Sequence, residues 1–185
     1  MKLSTLLMAC VSLLPALALA TPVQLNQSLP AATVIDQGEL VLQGKEISYT
    51  PWNTNMLPGK VRVVQAIAGR TAAKEMNAPF IEAIKAAKLP HDRYQTTTIV
   101  NADDAIIGTS AFVRSSLKDS KQEFPWSQFI YDANGVVQQA WELAPKSSAI
   151  MVLNPQGKVL FIKQGAMSKA EIDQATALIK KELQQ

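Results

Sequence analysis

Cysteine and histidine are almost absent from this sequence. Its 185 residues contain one cysteine, Cys10, and one histidine, His91. A lone cysteine cannot pair within the chain, and a lone histidine cannot build a His-rich metal site. No G-x-S-x-G motif is present, so a serine nucleophile would have only His91 as a base. The sequence therefore argues against structural disulfides, clustered metal ligands and Ser-His hydrolysis, and we expect no catalytic residue, metal or cofactor of these classes.

Charge of one sign is also scarce. The 18 Lys and Arg residues nearly balance 15 Asp and Glu residues, and the densest basic stretch is only Lys180-Lys181. Nucleic-acid binding needs a basic stripe or a reading motif, so we expect no nucleic-acid partner. Asp132 to Gly135 begins like a calcium loop, but Leu143 stands where that loop needs a bidentate glutamate. We predict a hairpin turn there.

Long apolar runs are confined to the start of the chain. Met1-Lys2 is followed by an apolar run from Leu6 through Leu19, which ends in Ala18-Leu19-Ala20 before Thr21. A basic start, a short apolar stretch and an A-x-A site are typical of a secretory signal peptide. We predict that residues 1–20 are removed after Ala20 and that residues 21–185 form one exported domain without a thiol.

Two other interpretations of this segment, lipid attachment at Cys10 and a membrane-spanning helix, are less well supported by the sequence. Leu7-Met8-Ala9-Cys10 loosely resembles the motif that precedes a lipid-modified cysteine. Pro15 interrupts the apolar run, which is shorter than the ~20 residues that a membrane-spanning helix requires. We therefore predict no membrane span and favour cleavage over lipid attachment.

Hydrophobic periodicity and turn residues outline the remainder of the chain. Helices are predicted from an N-cap at Thr71 to about Lys88, over Phe112–Lys121, and after the capping box Ser168-Lys169-Ala170-Glu171. The predicted strands are Thr33–Ile35 and Glu39–Leu42 as one hairpin, Lys60–Ile67, Arg93–Val100, Phe129–Tyr131 and Val136–Trp141 as a second hairpin, and Ala149–Leu153 and Lys158–Lys163 as a third. This order predicts an α/β fold, with a central mixed sheet covered by helices on both faces and an extra N-terminal hairpin.

One stretch carries a resemblance to secreted thioredoxin-like proteins. Residues 59–74, from Gly59 to Lys74, resemble the strand and turn after which a C-x-x-C pair opens a helix in those proteins. On that alignment Thr71 and Lys74 replace the two cysteines, and Pro79 stands where family members often kink the helix. Near the end of the chain, Ser148 falls where the family has a cis-proline. The resemblance implies a thioredoxin-like fold that has lost thiol redox and peroxidase chemistry.

The whole chain is similar to the YtfJ family of small exported proteins. The stretches that carry this similarity are Ala68–Thr71, Leu89–Asn101 and Phe112–Ser116. The family implies a periplasmic, thioredoxin-like protein, and it implies no activity.

The start of the helix at Thr71 is the predicted functional region. Free N–H groups at a helix N-terminus attract anions, and Arg70 and Lys74 flank them. We name Arg70, Thr71, Lys74 and Ser148 as candidate residues for binding a small anionic ligand, an extended peptide or another periplasmic protein. The plainer interpretation is a capped helix, with Arg70 solvated or paired with an acid.

The alternative function is a cysteine-free enzyme that uses Arg70 with Asp103 or Asp104. Adjacent acids at a strand end more often form a turn or cap a helix. His91 is expected to be an ordinary loop residue. Three tryptophans, Trp52, Trp126 and Trp141, lie near turns, and we expect them to pack under loops. Trp52 and Trp126, each preceded by proline, are alternatively candidates for lining a surface groove.

Overall fold

The computed structural model describes residues 22–184, which form seven strands and five α-helices. Cys10 and the predicted signal peptide with its cleavage site lie outside the described residues. The strands are β1 (Thr33–Gln43), β2 (Glu46–Asn53), β3 (Val61–Ala68), β4 (Tyr94–Asn101), β5 (Gln128–Asp132), β6 (Ser148–Leu153) and β7 (Val159–Gln164). The helices are α1 (Thr71–Met76), α2 (Ala78–Ala86), α3 (Ser110–Glu123), α4 (Val136–Ala140) and α5 (Lys169–Glu182). Among these residues no helix is both long enough and apolar enough to cross a membrane.

All seven strands join in one mixed sheet with the order β2-β1-β5-β4-β3-β6-β7. Strand β3 pairs in parallel with β4 and antiparallel with β6, while β4 and β5 are also parallel. Every residue of β3 is buried, as expected for a β-branched central strand that is covered on both faces. The predicted order of helices and strands around β3 is therefore confirmed.

The two faces of the sheet are covered differently. Helices α1, α2, α3 and α5 lie on one face, which we call the helical face. The other face, which we call the packed face, is covered by the N-terminal segment, α4, Trp52 and Trp141. The prediction of helices on both faces is correct.

The N-terminal hairpin is longer than predicted, and its turn is in a different place. Thr33–Ile35 and Glu39–Leu42 belong to the single strand β1, and the chain turns only at Gly44-Lys45. A register irregularity between Val34 and Glu39 absorbs the turn-forming residues Asp36 to Gly38. At Gly38 a Cβ atom would stand 2.2 Å from the carbonyl oxygen of Thr50, so glycine marks a close approach of two strands.

The second predicted hairpin is wrong, because Val136–Trp141 is not a strand. Residues Val136–Ala140 form helix α4. The buried Asp132 carboxylate accepts hydrogen bonds from the Val136 and Val137 N–H groups, and Gly135 supplies the left-handed turn with φ 65°. Strand β5 pairs instead with β4 and β1. The Asn-Gly signal thus marked a strand-to-helix turn, whereas the third hairpin and the Ser168 capping box are confirmed.

The predicted helix from Thr71 to Lys88 is broken at Asn77. Helix α1 ends at Met76, and α2 begins at Ala78 with Pro79 in its first turn, where proline is tolerated. The Asn77 side chain is 1% exposed, and its amide donates to Ser148 Oγ (3.0 Å) and to the Gly165 carbonyl (3.1 Å). Its Oδ1 accepts from the Met167 N–H at 2.9 Å. The break therefore joins both helices to the β6–β7 edge.

A candidate ligand-binding cleft over strand β4

A cleft of about 830 Å³ opens on the helical face. One wall is formed by α1 and α2, the other by α3 and the segment that follows it, and the floor by β3, β4 and β5. We call it the β4 cleft, because residues from Tyr94 to Val100 run along its floor. Its volume lies within the ~300–1,000 Å³ that is typical of ligand pockets.

The cleft exists because the helical face carries two separate clusters of apolar side chains. Phe80 and Ile84 of α2 pack with β3, β6 and α5 in one cluster. Leu117 of α3 packs with Val100 of β4, Phe129 of β5 and Leu40 of β1 in the other. Helix α3 thus lies over β5 and β1, and the middle of β4 is left without a helix above it.

Polar side chains form the centre of the cleft floor. Thr96 and Thr98 are only partly buried, although β4 is an interior strand of the sheet. Gln65 of β3 lies beside Thr98 and is 6% exposed. Among residues 22–184 its side-chain amide has no hydrogen-bond partner, although it lines the cleft. Among the described residues, the fully enclosed side-chain atoms without a partner are instead Tyr49 Oη and Trp52 Nε1, so the Gln65 amide is reached from the cleft.

The lower end of the floor has hydroxyls that are less available for hydrogen bonds to a ligand. The Tyr94 and Thr96 hydroxyls are 2.9 Å apart and bond to each other. Burial raises the pKa of Tyr94 above its usual value, so its hydroxyl stays protonated. In the described part of the chain, Gln65 and Thr98 are therefore the neighbouring floor residues whose side chains form no hydrogen bond.

Three side-chain contacts cross the cleft from wall to wall. Lys74 Nζ lies 3.4 Å from Ser116 Oγ, and Lys85 Nζ lies 5.0 Å from the centre of the Phe124 ring. At the lower end, His91 stacks on Trp126 with ring centroids 4.2 Å apart. We call the first two contacts the lysine bridges. His91, predicted to be an ordinary loop residue, thus helps to close one end of the cleft.

The predicted residues Arg70, Thr71 and Lys74 line the upper end of the cleft. The prediction of an N-cap at Thr71 is wrong: Arg70 occupies the N-cap, and Thr71 is the first helical residue. Neither Arg70 nor any other side chain caps this helix, because Arg70 is extended toward Asp104. Helix α1 is also only six residues long. Its N-terminus is thus weaker evidence for a site than predicted.

Arg70 is paired with an acid, as the plainer interpretation proposed. Its Nε donates to the Asp104 carbonyl at 2.6 Å, and Nη2 lies 3.3 Å from Oδ1 of Asp104. The other oxygen of this carboxylate accepts from the Lys146 N–H. The side chain of Asn101, and not Asp103, forms the turn by accepting from the Asp103 and Asp104 N–H groups. The Arg70–Asp104 pair thus connects β3, the loop after β4 and the approach to β6.

Ser148 is placed apart from the other predicted residues. It is 1% exposed, it pairs with Ile67 across β3 and β6, and its hydroxyl accepts from Asn77. It is not among the residues that line the β4 cleft. Its direct contacts are structural: it helps to fix the break between α1 and α2.

The residues that form the floor of the cleft were not predicted from the sequence. A glutamine within a β-branched strand predicted to be fully buried was the available signal for Gln65. The three consecutive threonines Thr96-Thr97-Thr98 were interpreted only as strand formers. Trp126 and Trp52 were the two candidates for lining a groove; Trp126 does line the cleft, whereas Trp52 is fully buried on the packed face, as is Trp141.

No group of His, Cys, Asp and Glu side chains within residues 22–184 is arranged to hold a metal ion. The described residues at the cleft offer hydroxyls, an amide, lysines, an arginine, a histidine, three glutamates and apolar surface.

Comparison with known sequences identifies close relatives. A family described as "Bacterial protein of unknown function (YtfJ_HI0045)" matches residues 23–182. Uncharacterized protein YtfJ of Escherichia coli (strain K12) is 53% identical over 181 residues, which cover 98% of both chains. An uncharacterized protein of Haemophilus influenzae is 46% identical over 179 residues and 97% of both chains.

Comparison with solved structures identifies the fold as thioredoxin-like. A thioredoxin-like superfamily protein (SPOA0173) matches with a TM-score of 0.56 at 17% identity, over 85% of this chain and 97% of that chain. The thioredoxin domain of a thiol-disulfide oxidoreductase from Bacteroides vulgatus matches with a TM-score of 0.55 at 12% identity, over 85% and 99%. The predicted fold class is confirmed, and the C-x-x-C pair is absent from this sequence.

Proposed function

Because this chain belongs to the YtfJ family and has a thioredoxin-like fold without a cysteine pair, we propose that it is a non-redox binding protein whose site is the β4 cleft. One observation carries this proposal: Thr96 and Thr98 of an interior strand are partly exposed beneath a cleft of about 830 Å³. Interior strands of α/β sheets are normally covered on both faces. A ligand supplies the missing cover.

The proposed site overlaps with the residues that the sequence suggested. Arg70, Thr71 and Lys74 border its upper end, where a polar or anionic part of a ligand would meet solvent. Ser148 supports the site indirectly, through Asn77 and the junction of α1 and α2. The binding function was predicted at the helix terminus, and we propose that it extends along the floor of the cleft.

Binding of an extended peptide by strand addition near Ser148 has less support. The Lys146 N–H donates to Asp104, and the Ser147 carbonyl accepts from the Ala68 N–H at 2.9 Å. These backbone groups would have to pair with an added strand. Since both already have partners within the chain, we favour a ligand held by side chains.

The enzyme alternative rests on Arg70 and Asp104, which do lie 3.3 Å apart. Both oxygens of the Asp104 carboxylate accept hydrogen bonds, one from Arg70 and the other from Lys146. A group held in this way is suited to fixing three segments of the chain, and a binding function requires nothing more of it. We also propose, from the signal-peptide pattern and the family, that the protein acts in the periplasm.

Binding of the amphiphilic fluorophore 8-anilinonaphthalene-1-sulfonate tests the proposed function. We expect saturable binding of one molecule per chain. Thr98→Phe, which places a ring over the floor, should reduce affinity at least tenfold. Thr50→Phe is the matched control, because Thr50 is exposed on β2 and does not line the cleft. Absence of saturable binding, or equal binding by both variants, would contradict the proposed site.

A second pair of variants separates the cleft from its surroundings. Ser115 and Ser116 are exposed neighbours on α3, but only Ser116 lines the cleft. Ser116→Phe should weaken fluorophore binding, and Ser115→Phe should not. If Ser115→Phe has the same effect as Ser116→Phe, the fluorophore binds the outer surface of α3 and the proposal fails.

A further inference from the structure

The dimensions of the β4 cleft restrict what can occupy it. Its floor extends from Tyr94 to Val100, which spans about 20 Å at ~3.3 Å per strand residue. The lysine bridges cross the cleft from wall to wall. The cleft therefore suits an elongated molecule that lies along its floor.

Hydrogen bonding argues against an extended peptide as that molecule. A buried peptide needs partners for its N–H and C=O groups along its whole length. The backbone of β4 pairs with β3 on one side and β5 on the other, so it offers none. On the floor, Tyr94 and Thr96 bond to each other, and Gln65 and Thr98 are the neighbouring side chains among residues 22–184 that have no hydrogen-bond partner. An alkyl chain requires no such partners and packs against the apolar side chains that line the walls.

Gln65 and Thr98 identify where a polar group of the ligand belongs. They lie side by side on β3 and β4, and within residues 22–184 neither side chain has a hydrogen-bond partner. Gln65 is more than nine-tenths buried and faces the cleft. Its amide N–H and the Thr98 hydroxyl can both donate, which matches a carbonyl oxygen.

The floor has different lengths on the two sides of Gln65 and Thr98, and these lengths set the sizes of two parts of the ligand. From Thr98 to Tyr94 the floor runs about 13 Å toward Trp126. Tetrahedral carbon advances about 1.25 Å per bond, from a bond length of ~1.5 Å and an angle of ~111°, so this length holds about ten carbons. From Thr98 to Val100 the floor runs about 7 Å in the other direction and ends near Arg70 and Lys74.

We propose, building on the proposed function, that the β4 cleft binds a single fatty acyl chain. The acyl carbonyl accepts hydrogen bonds from Gln65 and Thr98, and the alkyl chain runs along β4 toward Phe124 and Trp126. The second carboxylate oxygen of a free acid, or the alcohol part of an ester, points toward Arg70 and Lys74. The unpartnered Gln65 amide is then explained, because the ligand satisfies it.

Intrinsic tryptophan fluorescence of the purified protein can test this proposal. Trp126 is 44% exposed and lines the cleft, whereas Trp52 and Trp141 are fully buried on the packed face. Dodecanoate should shift the emission to shorter wavelength with saturation at one molecule per chain. It should also displace the fluorophore described above. Trp126→Phe is the control, and it should bind dodecanoate without the spectral change.

The length of the alkyl chain and the need for a carbonyl group are tested with separate ligands. Affinity should rise about fourfold per methylene from octanoate to dodecanoate, in line with ~0.8 kcal/mol per buried CH₂, and then level off. Dodecanol, which lacks the carbonyl, should bind at least tenfold more weakly than dodecanoate. A comparison of dodecanoate with 1-dodecanoylglycerol distinguishes a free acid from an ester as the preferred source.

Gln65→Leu is the decisive variant. It should weaken dodecanoate binding about tenfold, weaken dodecanol binding by a smaller factor, and melt no lower than the wild type, because the Gln65 amide has no partner among residues 22–184. If the fluorophore binds in the cleft but dodecanoate does not displace it, or if Gln65→Leu leaves dodecanoate affinity unchanged, the acyl proposal is wrong and the binding function stands. If neither binds, both proposals fail.

Discussion

The two faces of the central sheet differ in how completely side chains pack against them. On the packed face, Trp52, Trp141 and Ile130 are completely buried and belong to one continuous cluster. On the helical face, the clusters around α2 and α3 remain separate, and the β4 cleft lies between them. The protein thus leaves open the face that carries most of its helices.

Under the proposed function, folding and binding depend on opposite faces of the sheet. Protein interiors are normally close-packed, with few voids larger than a water molecule. A cleft of about 830 Å³ therefore costs apolar burial, which the packed face must supply. Thr97 and Thr98 illustrate the division: Thr97 is fully buried and bonds to Arg62 and Gln128, whereas Thr98 is partly exposed without a side-chain partner.

The largest expected effect comes from opening the packed face. Trp141 is fully buried, and its indole N–H donates to the Pro30 carbonyl at 2.8 Å. Trp141→Ala should lower the free energy of unfolding by about 3–5 kcal/mol. Trp126→Ala removes a tryptophan side chain from the cleft and should change the free energy of unfolding by less than about 1 kcal/mol. Urea unfolding measures both, and similar losses would mean that the two faces are equally packed.

A smaller difference in stability is expected between substitutions at two neighbouring residues of β4. Thr97→Phe forces a ring into the packed face and breaks buried hydrogen bonds, so it should cost at least about 2 kcal/mol. Thr98→Phe points into the cleft and should change stability by less than about 1 kcal/mol. Thermal melting of the two variants provides the measurement. A Thr98→Phe protein that melts as low as Thr97→Phe would show that the cleft is closed in solution.

The smallest expected effect lies at the start of α5, away from both faces. The Lys163 ammonium 2.8 Å away and the Ser168 N–H lower the pKa of Glu171 to about 2, against 4.5 when unperturbed. Its stabilising contribution is therefore complete above pH 4.5 and is lost as the pH falls toward 2. Glu171→Gln keeps the capping-box geometry but should show a flatter dependence of melting temperature on pH over this range.

The control for this prediction is Glu46→Gln on the exposed edge strand β2. Within residues 22–184, Glu46 forms no ion pair. Its replacement should leave the acid limb of the melting curve as in the wild type. A Glu171→Gln protein that loses stability between pH 4.5 and 2 as steeply as the wild type would contradict the assigned cause.

Features with short-range causes were the ones that the sequence predicted well. Strand β3 follows from its β-branched residues, and the α5 start follows from Ser168 and Glu171. Helix α4 was missed because its cap comes from Asp132, a buried carboxylate whose position depends on the pairing of β5. A local Asn-Gly signal could not reveal that pairing.

The candidate site was only partly predictable for the same reason. Arg70, Thr71 and Lys74 were found from their place before a helix, and they do border the cleft. The cleft itself depends on how far α3 lies from α2, which no spacing of residues in the sequence specifies. Gln65 becomes informative only once Thr98 lies beside it on the neighbouring strand.

The lysine bridges have a consequence for the speed of ligand exchange. Lys74 and Lys85 are exposed side chains, and they reach across the cleft from one wall to the other. Exposed side chains change rotamer within picoseconds to nanoseconds, far faster than a loop opens. Under the proposed function, a ligand enters the cleft without a slow conformational step, so association approaches the diffusional rate. Ligands of different affinity will consequently differ in how long they stay rather than in how fast they arrive.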